Sequence, residues 1–294
     1  MAASQAPVRT AFNSILFATD FSPVSEAALP FVLGIAHRYG SKVIVAHVVP
    51  FEPSEGLTRV PPAVYLELEE QEARQELQRY DEAHKFEGLR HEFIVERGYP
   101  PTIVPDLITM ESVDLVVLGT HGRKGLSKIF TGSVAEQIFR KATCPVLTVG
   151  PGSGAVPASG WKPSRILLAT DFSGGSVHAL PYTLTLAQDC EAELILFHAA
   201  PLVAWEQQQE MSVYYQKRLE ALLSGRQLRC KTEAAVRFDL PGPAILNLAD
   251  EKQVDLIVMG VHRTPVPAVD AHIPWTTACE VISAAHCPVL TVRA

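Results

Sequence analysis

Ile15-Leu-Phe-Ala-Thr-Asp-Phe-Ser22 and Ile166-Leu-Leu-Ala-Thr-Asp-Phe-Ser173 are nearly the same phrase, written twice in one chain at an offset of 151 positions. The echo continues at the same offset, where Val43-Ile-Val-Ala-His-Val-Val-Pro50 is answered by Leu194-Ile-Leu-Phe-His-Ala-Ala-Pro201. Further on, Val113-Asp-Leu-Val-Val-Leu-Gly119 matches Val254-Asp-Leu-Ile-Val-Met-Gly260, and Thr143-Cys-Pro-Val-Leu-Thr-Val149 matches His286-Cys-Pro-Val-Leu-Thr-Val292. Order and approximate spacing survive, so the chain is a tandem duplication. The Gly-, Pro- and Ser-rich stretch from Gly150 to Gly160 reads as a linker. The expected domains are therefore residues 1–150 and 161–294, joined by 151–160.

Within each copy, short apolar runs bounded by Gly, Pro or Asp alternate with longer segments of helical spacing. That pattern belongs to strands buried on both faces by crossover helices, an α/β domain. In the first copy the runs predict strands near 14–19, 43–48, 91–96, 114–119 and 145–149, with four helices between them. The first helix should be capped by Ser22, with Pro23 at its first position, and should close near Gly40. Pro30 and its counterpart Pro181 predict a kink at the same turn of both copies. A second helix, about Ala63 to Phe86, should bury Leu66, Ala73, Leu77, Tyr80 and His84 and turn its many carboxylates to solvent. The Pro50 to Pro62 segment ahead of it reads as a mobile loop.

Composition narrows the function classes. The chain has 294 residues, 25 basic and 32 acidic, for a net charge of -7. With 47% apolar residues and a mean hydropathy of +0.13, it reads as a globular protein without a basic stripe. Nucleic-acid binding through phosphate neutralisation is not expected. Five cysteines without a CxxC pair argue against a disulfide framework and for a reducing, cytoplasmic setting. The apolar runs are too short to span a membrane, and the N-terminus has no signal-peptide pattern.

In open parallel sheets ligands sit beyond the carboxyl ends of the strands. Two features of the first copy meet there. Asp20 ends the first strand, where its carboxylate can accept hydrogen bonds from ribose hydroxyls or cap the backbone donors of Ser22-Pro23. The fourth strand runs into Gly119-Thr-His-Gly-Arg-Lys-Gly-Leu-Ser-Lys-Ile-Phe-Thr-Gly-Ser133 and then into a helix. Gly119, Gly122 and Gly132 permit close backbone approach, Gly132-Ser133 opens a helix with free N–H groups, and Arg123, Lys124 and Lys128 add cations. The loop is read as an anion site.

The spacing Gly119-x2-Gly122-x9-Gly132-Ser133, with Ala18-Thr19-Asp20 ending the first strand and His47-Val48 ending the second, resembles the universal stress protein family over nearly the whole chain. The resemblance implies a Rossmann-like fold in each repeat: an open five-stranded parallel sheet of order 3-2-1-4-5 with helices on both faces. It also implies ATP binding by the first repeat. Asp20 would meet the ribose, the Val48 backbone would hold adenine, and Ala18 and Thr19 would line the base pocket. Gly119, Gly122, Gly132, Ser133 and Val134 would take the phosphates, with a Mg ion bridging them. Arg123 is added to this set from its place beside Gly122.

The second copy departs from the pattern. Its loop, Gly260 to Thr277, places Arg263 where Gly122 stood and Trp275-Thr276 where Gly132-Ser133 stood, and it adds Pro265, Pro267 and Pro274, which have no N–H to offer. One nucleotide per chain is therefore expected. Asp171 survives, so half a site remains. His121 and His262 beside the glycines, and Asp270-x-His272, are read as loop residues rather than as a base or a metal site. Cys144 and Cys287 are read as packed thiols.

With no P-loop, kinase or serine-hydrolase signature, the expected function is a nucleotide-dependent stress-response regulator, at most a slow ATPase, read by an unidentified regulatory protein. The alternatives are an adenylyl-transferring enzyme of related architecture and a scaffold that binds no nucleotide. The last strands, 145–149 and 288–292, are apolar edges that could cover each other inside one chain as an intrachain pseudo-dimer; association of two chains into a homodimer is left open.

Overall fold

The computed structural model describes residues 12–51, 62–120, 134–154, 156, 160–261 and 273–293. It divides into two compact units. The first runs to Pro151 and takes in the segment ending at Trp161, while the second takes Gly152–Gly154 and resumes at Lys162.

In the first unit the strands are β1 (Ser14–Ala18), β2 (Lys42–Val49), β3 (His91–Arg97), β4 (Leu115–Gly119) and β5 (Val146–Val149). They lie parallel in the order β3-β2-β1-β4-β5. All five fall where the apolar runs put them, because β1, β2, β4 and β5 are buried almost throughout and have no polar face to reveal by alternation. The helices are α1 (Pro23–Glu26), α2 (Leu29–Tyr39), α3 (Pro62–Glu82), α4 (Pro100–Met110) and α5 (Val134–Lys141). Ser22 caps α1 by accepting from the Ser25 N–H, and Gly40 closes α2 at φ 65°.

The second unit repeats the plan with β6 (Arg165–Ala169), α6 (Gly174–Cys190), β7 (Glu193–Ala200), α7 (Trp205–Ala221), β8 (Thr232–Phe238), α8 (Pro241–Lys252), β9 (Leu256–Val261), α9 (Ile273–Ala284) and β10 (Val289–Arg293). Its order is β8-β7-β6-β9-β10, again parallel. Each unit thus has the five-stranded parallel sheet expected from the sequence.

At the amino ends of the sheets, the repeated Val-Asp-Leu phrase shows a structural use. Asp114 accepts from the Asn13 and Ser14 N–H groups (2.7 and 3.2 Å), and Asp255 accepts from Ser164 and Arg165 (2.7 and 2.9 Å). Each carboxylate pins the start of the central strand.

Some local expectations need correction. A break in the helix is not shared: in the first unit the chain breaks at Ala27-Ala28, with Pro30 in the first turn of α2, whereas α6 continues through Pro181. His84 is exposed and lies beyond the end of α3 at φ 51°, so it is no part of the buried stripe that Tyr65, Ala73, Leu77 and Tyr80 form. The carboxylates of α3 are also not all passively solvated. Glu70 sits between Arg74 and Arg97, whose hydrogen bonds hold its carboxyl below the usual range, and through Arg97 it ties the helix to β3. Most of the Pro50 to Pro62 loop lies outside the described residues.

Trp161 closes the first unit. Its ring packs edge-on against Phe31 at 5.4 Å, and its backbone nitrogen lies 2.8 Å from where a side chain on Gly34 would begin. Among the described residues no helix is long and apolar enough to cross a membrane.

Candidate functional site

β1 ends at Ala18, opposite Ala46 on one side and Leu118 on the other. It is the point where the strand order reverses, the place at which open parallel sheets hold their ligand crevice. Register puts Ala18, Val48 and Gly119 at the carboxyl ends of neighbouring strands there, with Thr19 and Asp20 directly after β1. Gly122, Arg123, Gly132 and Ser133 lie outside the described residues, and so do His121 and, in the second unit, His262, Arg263, Pro265, Pro267 and Asp270-x-His272. Val134 is the first residue of α5 and is exposed.

Val48 is placed by strand arithmetic. In a parallel strand the N–H and C=O of a residue point to the same side and alternate along the chain. Val43 donates toward β3, through Arg90, while Lys42 donates toward β1, through Asn13, and Ala46 accepts from Thr19. The even positions of β2 therefore face β1. Because β1 stops opposite Ala46, the N–H and C=O of Val48 face the crevice beyond the last strand partner on that side. Its side chain is buried.

The turn from β1 into α1 is a closed hydrogen-bond unit. Thr19 is buried, and its Oγ1 accepts from the Phe21 N–H (3.0 Å) and the Ser25 hydroxyl (2.9 Å). Asp20, half-buried, accepts from the Ser22 N–H at 3.0 Å. One carboxylate oxygen thus caps the turn, as the structural of the two readings of Asp20 expects. Phe21 holds φ 58°, a left-handed conformation that costs a residue with a Cβ about 1 kcal/mol or more. Its ring stacks on His47 at 4.7 Å, and His47 Nδ1 donates to the Thr19 carbonyl at 2.9 Å. The Thr19 hydroxyl is thereby committed to the turn.

Gly119 has a reason of its own. A Cβ there would lie 2.9 Å from the Val24 carbonyl oxygen and 3.0 Å from Ser25 Cα, so its bare backbone lets α1 pack against β4. Gly260 is in the same position, facing Gly175 and Ser176 still more closely. The same backbone packing recurs in the second unit, so packing is sufficient to explain the glycine there.

α5 starts at Val134 and carries a buried carboxylate in its first turn, Glu136, paired with Arg140 at 2.7 Å. The sequence reading overlooked this residue, although Ser133-x-x-Glu136 is the capping-box pattern that could have signalled it. An anion at this helix start would meet a negative charge that Arg140 offsets. In the second unit, α9 opens at Ile273. Trp275-Thr276 fall within α9, and Pro274 just before them has no N–H to offer.

The thiols are quiescent. Burial pushes both Cys144 and Cys287 up to about 12, so neither carries a thiolate at neutral pH. Among the described residues no three His, Cys, Asp or Glu side chains gather to hold a metal ion.

The comparisons with known proteins agree with this architecture. The universal stress protein family matches residues 11–150 and again residues 163–293. A universal stress protein of Methanocaldococcus jannaschii is 31% identical over 143 residues, covering 47% of this chain and 82% of its own length. One from Synechocystis is 31% identical over 152 residues, covering 47% and 97%. Among solved structures, a universal stress protein from Archaeoglobus fulgidus superposes with a TM-score of 0.71 at 21% identity, covering 96% of this chain and 98% of that one. A universal stress protein in complex with cAMP is 26% identical, covers 48% of this chain and 98% of that one, and has a TM-score of 0.33. Two copies of the fold, each matched by the family over nearly its full length, show that the chain belongs to the universal stress protein family.

Proposed function

We propose that the N-terminal module binds one ATP per chain and that its occupancy is read by a regulatory protein in a stress response. The observation that carries this reading is the backbone of Val48. Its N–H and C=O face a crevice beside the Asp20 carboxylate, and a paired donor and acceptor suits the edge of a purine while a carboxylate suits ribose hydroxyls. The residues at the base and ribose end therefore fit a nucleoside. Gly122, Arg123, Gly132, Ser133 and the N–H groups at the start of α5 would hold the phosphates, and Mg would accompany the triphosphate and offset its charge.

The C-terminal module is proposed to bind no ATP in this manner, because Pro274 and the bulky residues of its loop remove donors and close approach. Hydrolysis is proposed to be slow or absent: the reading supplies binding groups and no positioned base. The modules are taken as 1–150 and 161–294 with 151–160 between them. The five free cysteines fit a cytoplasmic setting.

Calorimetry with Mg-ATP tests this directly. One site per chain is expected, with Asp20→Ala lowering affinity at least about tenfold, the scale of one or two hydrogen bonds to a charged group, and Asp171→Ala leaving it unchanged. Two equivalent sites per chain, or no binding, would overturn the proposal. Titration with cAMP as competitor decides which nucleotide the crevice prefers, and mass spectrometry of ligand released on denaturation identifies what the purified protein carries.

A further inference from the structure

The left-handed turn after β1 is built the same way in both modules, whatever has happened to the phosphate loops. Phe21 and Phe172 sit at φ 58° and 62°. Each ring packs against the histidine of the neighbouring strand, His47 at 4.7 Å and His198 at 4.6 Å. Each histidine is only 8% exposed and points Nδ1 at a backbone carbonyl, Thr19 O at 2.9 Å and Thr170 O at 2.8 Å. A carbonyl can only accept, so Nδ1 carries the proton in both.

The turn needs such a hold. A non-glycine residue in left-handed backbone persists only when its surroundings over-determine it, and the side chain that gains from the strain is the aspartate immediately before it. Asp20 and Asp171 each cap the serine two residues on, at 3.0 and 2.9 Å.

We propose that His47 is a positioning residue for the nucleotide site: by gripping the Thr19 carbonyl and covering Phe21, it fixes the direction in which Asp20 presents its carboxylate. His198 performs the same service for Asp171, in a module that no longer uses it for ATP. The inference rests on the proposed ATP reading for its consequence, and on the hydrogen bonds alone for its mechanism.

The two histidines make an internal control. His47→Phe keeps a ring against Phe21 and loses the donor, whereas His47→Asn places an amide N–H near the position of Nδ1. Mg-ATP affinity should fall roughly tenfold in His47→Phe, the worth of one hydrogen bond, and stay within about threefold of wild type in His47→Asn. His198→Phe should leave it unchanged.

Amide hydrogen exchange without added nucleotide gives the second readout. The Ser22 N–H, held by Asp20, should exchange faster in His47→Phe and at the wild-type rate in His47→Asn. Should His47→Phe not fold, His47→Gln, whose amide sits nearer the Nε2 position, replaces it with the same expectation.

Wild-type affinity in His47→Phe, or Ser22 exchange unchanged in it, would overturn the inference. If the wild-type protein itself binds no ATP, the functional reading fails, and the exchange measurement still decides whether His47 holds the turn.

Discussion

The two modules share a strand order, a clamped turn and an invariant glycine contact, and they differ at the segment that leads into the last helix. Gly132-Ser133 precede Val134 of α5, while Trp275-Thr276, with Pro274 before them, stand at the matching place in α9. Because the shared features persist in both modules while that segment changes in sequence, they are requirements of the fold. What differs is where function is to be sought. The pair of modules therefore works as a built-in experiment, in which a substitution made at matching positions separates stability from binding.

The largest effect is expected at Gly119, which ends β4, and at its counterpart Gly260, next to last in β9. A Cβ at Gly260 would overlap the Gly175 carbonyl and Ser176 Cα, both backbone, whereas one at Gly119 would lie 2.9 Å from the Val24 carbonyl oxygen. Overpacking against backbone costs about 1–3 kcal/mol. Gly260→Ala should fall at or above the top of that range and Gly119→Ala near the bottom, measured by urea unfolding. Equal costs would mean that α1 and α6 do not approach their sheets as differently as the distances indicate. If Gly119→Ala abolished nucleotide binding at little cost in stability, that glycine would belong to the phosphate site after all.

Next in size is the charge balance at the start of α5. Glu136 is buried and paired with Arg140, and the positions in register with them in the second module, counted from Cys144 and Cys287, are Cys279 and Ser283. Arg140→Ala should leave a negative charge in the first turn and weaken Mg-ATP by about fivefold, roughly 1 kcal/mol. Ser283→Ala should change nothing. Restored affinity in Arg140→Ala with Glu136→Gln would show that the charge is the cause, and an unaltered affinity in Arg140→Ala alone would place the anion away from this helix.

Much of this could be read from the residues alone, and the reasons for success and failure are physical. Strands buried on both faces must be nearly continuous runs of apolar residues, so β1, β2, β4 and β5 announce themselves. Ser22-Pro23 and Gly40 mark helix ends by local chemistry, which depends on no distant partner. The misreadings concern tertiary context. His84 fits a helical stripe by spacing, but the chain leaves the helix just before it. Thr19 and Gly119 stand out by position, and the fold gives each a further use that position does not show: the Thr19 hydroxyl accepts from Ser25 of α1, and the bare backbone of Gly119 admits the same helix. Glu136 carries a local signal in Ser133-x-x-Glu136, but its burial depends on packing that spacing does not encode.

A smaller effect should appear on acidification, through His198. Burial is the main cause that depresses its pKa below the usual 6.5; Arg218 adds to this, while the Thr170 hydrogen bond and Asp171 oppose it. A histidine held neutral in the fold takes up a proton more readily when unfolded. Its contribution is therefore fully present above about pH 6.5 and lost as pH falls through and below that value. Arg218 lies 4.0 Å over the Phe172 ring. Arg218→Ala should forfeit about 0.5–1 kcal/mol of cation–π attraction and, by raising the His198 pKa, should flatten the acid loss. Unfolding of wild type, Arg218→Ala and His198→Phe at pH 7.5 and 5.0 checks the sign, and an acid loss unchanged in His198→Phe would assign it to another group.

The smallest expected effect is a difference in sign between the two prolines. Pro30 lies in the first turn of α2, where an N–H has no helical partner, so its ring costs nothing in the folded state and restricts the unfolded chain. Pro30→Ala should therefore destabilise by about 0.4–1 kcal/mol. Pro181 lies inside α6, where its missing N–H leaves the Val177 carbonyl without its helical donor. Alanine there returns a hydrogen bond worth about 0.5–1.5 kcal/mol and gives up the same entropic advantage, so Pro181→Ala should be neutral to slightly stabilising. Matched thermal melts of the two variants decide it. Two losses of equal size would mean that α6 gains from its proline as α2 does, and that the unbroken helix of the second module is held in register by its packing rather than by its backbone ladder.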